Sequence, residues 1–211
     1  MSRPRSPTAI ERIAGNTATE LALTAVAAIA GGPLVALLPV LAKSLASERQ
    51  KKRVEAELLS INALLNEQEA AIRGLTDSQY KLINEAILAV LQTTSSEKLA
   101  YLREAVRNAM SFRDIEPQEA IVLSRIVRDI SAEEVVFLVK AFAYERVQLV
   151  ELEEEHAPSV LTVQLSSPDA RSVSGLVSLG VLASAGGTYA DLGQLRFMPI
   201  TSKLLALFRD A

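Results

Sequence analysis

Glu151, Glu153, Glu154, Glu155 and His156, the only histidine, form the one run of side chains able to ligate a divalent cation or move a proton near neutral pH. These groups are nearly consecutive and stand in a polar stretch before Pro158. No matching ligand set recurs elsewhere, so the run reads as a solvated acidic connector, and no metal ligand is assigned. The chain has no cysteine, which excludes disulfide frameworks, thiolate zinc sites and cysteine nucleophiles. It also lacks the glycine-rich phosphate loops, the dinucleotide fingerprint and the nucleophile elbow, and Gly186-Gly187 lacks the strand-loop-helix setting of a phosphate cradle. No catalytic group and no cofactor is nominated, and a non-enzymatic role is the expectation.

Without a chemical centre, the information lies in the elements. Of 211 residues, 49% are hydrophobic but only 4% aromatic, and there is no Trp. An apolar content drawn from Ala, Leu, Val and Ile favours a mainly α protein. Charge follows a gradient. Residues 1–53 carry eight Lys or Arg against three Glu, net +5, whereas 54–147 are net −5 and 148–211 net −3. A basic leader of this kind suits an anionic surface.

Leu21 to Ala42 contains no charged residue, a length that would span a bilayer core if continuously helical. Gly31, Gly32, Pro33 and Pro39 interrupt it, so two short apolar helices joined by a Gly-Gly-Pro turn are expected. Such a hairpin is read either as buried core or as a membrane-associated element. A signal peptide is the least suitable alternative, because Ala28-Ile29-Ala30 would follow a long n-region carrying Glu11 and Glu20. Leu34, Leu37, Leu38 and Leu41 supply the denser apolar arm, and Lys51, Lys52 and Arg53 lie just beyond it, where anionic lipid attracts basic charge. These seven residues are the candidate membrane or partner contacts.

Val54, Leu58, Ile61, Leu65 and Ile72 then form a heptad-like seam, with Leu58, Ile61 and Leu65 as candidates for self-association. Gly74 stops that helix. New helices are predicted from capping signals at Thr76/Gln79, Thr94/Glu97, Glu116-Pro117 and Ser131/Glu134. Their apolar faces, such as Ile83, Ile87 and Val90, or Ile121, Ile126 and Val127, or Val135, Leu138, Val139 and Phe142, are predicted to form one bundle.

Past the connector, Ser167-Pro168 predicts a helix ending at Gly180, followed by a hairpin of Val181–Ala183 and Gln194–Met198 and a last helix capped by Thr201. The fold class is therefore mainly α: a helical bundle with an N-terminal apolar helical hairpin and a small C-terminal winged-helix-like α/β module. The domain reading is 1–46 basic and apolar, 47–150 bundle, 151–166 acidic connector and 167–211 winged module. A DNA-binding version needs basic or amide side chains on its helix and wing, which here offer only Arg171 and Arg196, so nucleic acid is disfavoured as a partner.

Gly31-Gly32-Pro33 in its apolar segment, SSEKLAYLREAVRNAM from Ser95 to Met110, and the ending from Leu176 to Tyr189 with Met198 to Phe208 together resemble the bacterial abortive infection alpha proteins. The ending departs from that pattern at Ser202-Lys203, where a Gly usually follows the Thr. The resemblance implies a bacterial protein with a role in phage defence and transfers no catalytic residue. The expected function is interaction with a membrane or a protein partner through the N-terminal segment, in the cytoplasm or at the inner membrane. The alternatives are a winged-helix transcriptional regulator and a structural homo-oligomer.

Overall fold

The junction of Thr76 and Gln79 shows how the helices start and how they are tied together. In the computed structural model, which describes residues 48–68, 72–151, 158–186 and 193–209, the Gln79 backbone N–H donates to the Thr76 hydroxyl at 3.3 Å and the Thr76 N–H donates to the Gln79 side-chain carbonyl at 2.9 Å. This is the expected capping box. The amide nitrogen of Gln79 then donates to the carbonyls of Ala109 and Met110 at 3.1 and 3.0 Å, closing the end of another helix.

Seven helices lie among the described residues: α1 (Glu48–Glu67), α2 (Asp77–Gln92), α3 (Ser96–Ser111), α4 (Pro117–Asp129), α5 (Ala132–Ala141), α6 (Pro168–Ser178) and α7 (Ile200–Phe208). Four strands accompany them: β1 (Arg146–Val150), β2 (Val160–Gln164), β3 (Leu182–Ser184) and β4 (Gln194–Phe197). The protein is mainly helical with a small mixed sheet towards its C-terminus. The N-terminal apolar hairpin expected over Leu21 to Ala42 lies outside the described residues.

Starts predicted at Glu116-Pro117 and at Ser131/Glu134 are found, the latter as a capping box. Two others move. Ser95, not Thr94, caps α3, because its hydroxyl is the one placed to accept from Lys98 N–H, at 3.1 Å. Thr201 does not cap α7: Pro199 already has helical backbone angles, the helix begins at Ile200, and the buried Thr201 hydroxyl donates to the Val181 carbonyl at 3.0 Å. Helix α6 ends as expected at Gly180, whose φ of 72° allows the N–H of Val181 to reach the Leu176 carbonyl and that of Gly180 to reach Val177.

The core is one cluster running from Val54 in α1 to Phe208 in α7. Helix α2 packs between α3 and α4, α1 lies on α3 and α2, and α7 lies on α3 and α4. Asn108 of α3 donates to the carbonyls of Leu207 and Arg209, and Lys203 of α7 pairs with Glu119 of α4, so the C-terminal helix is fastened to the bundle.

The sheet order is β2-β1-β4-β3, with β1 and β2 parallel and the remaining pairs antiparallel. β3 and β4 are the predicted hairpin. β1 and β2 were not anticipated: β1 falls at the end of the stretch read as bundle, and β2 within the stretch read as connector. Val147 and Leu195, directly paired, are buried, and the opposite face carries Arg146 and Arg196. Gly193 precedes β4 where a Cβ would lie 2.7 Å from the backbone oxygen of Leu149, so only glycine lets the two strands meet there.

Gln79→Ala is expected to remove the Gln79 donor from the buried Met110 carbonyl, leave the Ala109 carbonyl with the Phe112 N–H alone, and cost about 2 kcal/mol. Urea unfolding measures this against exposed Gln92→Ala, which should change little; equal effects for the two would show that α3 does not depend on the Gln79 amide.

Candidate functional site: a groove along one helix

Helix α5, AEEVVFLVKA, has only Glu133, Glu134 and Lys140 as charged or polar residues. Val135, Phe137, Leu138 and Ala141 enter the core. The other face carries Val136, 57% exposed, and Val139, 58% exposed, with Phe142 at the helix end 43% exposed. Val139 and Phe142 were expected in the bundle interior, as was Ile121, which is 50% exposed. The periodicity was right, but α5 is apolar on more than one side, and a stripe alone does not say which side the neighbours cover.

Two clefts of about 730 Å³ each flank this outer face and share Tyr101 and Val136, making one track. One stretch is apolar, walled by α7 through Leu205, Ala206 and Phe208. Tyr101 and Phe208 meet edge to face at 5.8 Å, and Phe142 meets Phe197 of β4 at 5.3 Å, so the walls are held by aromatic contacts. The other stretch, between α3, α5 and α6, is lined by the carboxylates Glu97, Glu133, Glu134 and Asp169 against Lys140 and Arg171. Lys140 and Asp169 form an exposed 3.5 Å pair, of small energetic consequence. Here α5 and α6 approach so closely that a Cβ on Gly175 would fall 1.6 Å from the Glu134 carboxylate, the same group that accepts from the Ser131 N–H.

The sequence-predicted site residues are dispersed. Leu34, Leu37, Leu38 and Leu41 lie outside the described residues, as do Glu153, Glu154, Glu155 and His156 of the acidic run. Lys51 belongs to α1 by its backbone; Lys52 and Arg53 are exposed on the early turns of that helix. Ile61 and Leu65 are buried and Leu58 packs against the same core, so the heptad seam faces α2 and α3 of its own chain. Among the described residues no group of three or more His, Asp or Glu could hold a metal ion.

One cluster joins two helices, Glu57 of α1 meeting Arg103, Glu104 and Arg107 of α3, and the link across them has no signal in the sequence. Arg103 lies 3.3 Å from Glu57 and 3.6 Å from Glu104, and Arg107 lies 2.6 Å from Glu104, which is 3% exposed. Burial pushes the Glu57 carboxyl above its ordinary value, Arg103 opposes this and Glu104 adds to it. The Tyr80 hydroxyl is also buried without a hydrogen-bond partner and is pushed up to about 12 by that burial, so it keeps its proton at neutral pH. Glu97, at the mouth of the acidic cleft, is held below the carboxylate range by hydrogen bonds from its own backbone and from Ser95 and Ser96, and further by the charge of Arg53.

No family profile, curated protein or solved structure matches the chain.

Because the folded chain binds the Glu57 proton more tightly than the unfolded chain, this position favours folding most below pH 4.5 and loses that contribution as pH rises through the raised value. Glu57→Gln, which resembles the protonated form, is expected to raise the unfolding midpoint at pH 7 and to have little effect at pH 4. A midpoint lowered at pH 7 would instead assign the net benefit to the charged pair with Arg103.

Proposed function

We propose that the protein acts by interaction and not by catalysis, presenting its N-terminal apolar segment to an anionic membrane surface. The observation that carries this reading is the way α1 is mounted. Val54, Ile61 and Leu65 lock one face of the helix into the core, while Lys52 and Arg53 stand exposed at the end where the apolar segment joins it. A rigid, basic handle placed directly after Leu21 to Ala42 is suited to holding such a segment at anionic headgroups. No helix among the described residues is long and apolar enough to cross a membrane. The membrane-directed part of the reading therefore rests on that segment, with Leu34, Leu37, Leu38 and Leu41 as its densest apolar arm. A role in bacterial phage defence, implied by the resemblance to abortive infection alpha proteins, is part of the same proposal, as is a place in the cytoplasm or at the inner membrane.

A second reading, a winged-helix regulator, is favoured by the order β1-β4-β3 with α6 leading into β3. In that reading α6 and the β3–β4 hairpin meet duplex DNA, and Arg196 finds Arg146 directly across the ladder. It ranks second because Arg171 of α6 shares its cleft with four carboxylates, which repel phosphates.

Replacing Lys51, Lys52 and Arg53 by Glu is expected to abolish flotation with anionic vesicles at low salt while leaving the folded body intact by circular dichroism. Undiminished flotation would remove the electrostatic part of the proposal. For the second reading, Arg171→Ala with Arg196→Ala should weaken duplex binding and lower the salt slope by about two; no gel shift by the parent chain near physiological salt would dispose of it.

A further inference from the structure

A groove that takes a helix is recognised by its shape, its apolar anchors and the charge around its rim. On the outer face of α5, Val136, Val139 and Phe142 stand exposed in a row, and the apolar cleft beside them is walled by Leu205 and Phe208 of α7. Tyr101 against Phe208 and Phe142 against Phe197 fix those walls edge to face, so the trough is preformed. From Glu133 to Phe142 it follows about 14 Å of helix axis, the length of about two and a half turns of a second helix. We infer that this groove receives an amphipathic helix of another protein, apolar along one stripe and carrying lysine or arginine at one end.

Charge at the rim selects that occupant. The cleft at the amino end of α5 is lined by Glu97, Glu133, Glu134 and Asp169 against Lys140 and Arg171. Lys140 is taken up by Asp169 at 3.5 Å, which leaves three carboxylates facing one arginine. Glu97 stays ionised at neutral pH, since hydrogen bonds from its own backbone and from Ser95 and Ser96 hold its carboxyl below the ordinary range. The apolar stretch carries a single charged group, Arg209, so negative charge is confined to one end of the track. Around it, residues 54–147 and 148–211 are net −5 and −3, a field that draws in a basic partner.

Other occupants fit less well. A two-fold pairing with a second copy lays one trough against its duplicate, and two concave surfaces do not fill each other. A bilayer is flat, and its anionic headgroups would meet the carboxylates at the rim. The docking is independent of the proposed membrane reading, which concerns the N-terminal segment, so each is tested without the other.

The test uses the full chain and a fluorescent synthetic peptide of about fifteen residues, with leucines at i, i+3 and i+7 and lysines at either its N- or its C-terminal end. Anisotropy is expected to show saturable binding that weakens as salt rises, for at least one of the two peptides. A scrambled peptide of the same composition, and one with glutamates in place of the lysines, should bind at least about tenfold more weakly. Val136→Asn with Val139→Asn, both exposed positions, should lower the affinity by about tenfold or more in a chain that keeps its circular dichroism. Glu133→Lys should lower it as well and flatten the salt dependence. No binding up to about 1 mM peptide, equal binding of the scrambled peptide, or unchanged affinity in the double variant would each overturn the docking. Sedimentation tests the remaining occupant: a parent dimer that the same double variant turns into a monomer assigns the groove to a second copy and overturns the proposal.

Discussion

The carboxyl end of α3 is the joint on which the body of the protein depends. Carbonyls of its last turn accept from the Gln79 amide of α2, and one residue earlier Asn108 reaches out to the end of α7. These bonds supply donors to carbonyls at two helix ends, where the helix itself offers too few, and such termini are costly inside a protein. Helix α3 thereby acquires neighbours on nearly every side: α1 through the Glu57–Arg103 pair, α2 through Gln79, α7 through Asn108 and the Tyr101–Phe208 contact. The groove along α5 is what remains between α3 and α7 once those attachments are made.

Local signals were the legible part of the sequence. A Thr or Ser followed three residues later by Gln or Glu marks a helix start because both bonds of the box form within one turn, as at Thr76 and Ser131, and Gly180 is legible as a helix stop because its left-handed backbone is an equally local feature. Thr201 was misread because a threonine ahead of an apolar run resembles a cap, while the true start was set by Pro199 and the hydroxyl was claimed by Val181, twenty residues away. β1 and β2 escaped because each is only five residues long and β1 finds its main antiparallel partner beyond α6. The groove escaped for a related reason. Val135, Leu138, Val139 and Phe142 lie on a broad apolar surface, and only the arrangement of α3 and α7 decides which of them meet solvent.

Electrostatics divide the molecule in the same places as its packing. The positive leader feeds into α1, the half-buried Glu57 and the buried Glu104 face two arginines at the α1–α3 contact, and the carboxylates of α5 and α6 gather beside the groove. The close approach of Gly175 to Glu134 sets α6 against the first turn of α5, where the same carboxylate completes the cap at Ser131.

The Asn108 bond to Leu207 joins positions 99 residues apart. During synthesis, α2, α3 and α4 can meet as soon as each emerges, since their contacts are between neighbours in the chain, but α7 is the last of the described elements to appear. Until then Tyr101 has no Phe208 and the groove has only one wall. The outer face of α5 therefore stays open on the α7 side until the last described helix is made, and that interval is set by the ribosome's pace and not by the stability of the finished fold.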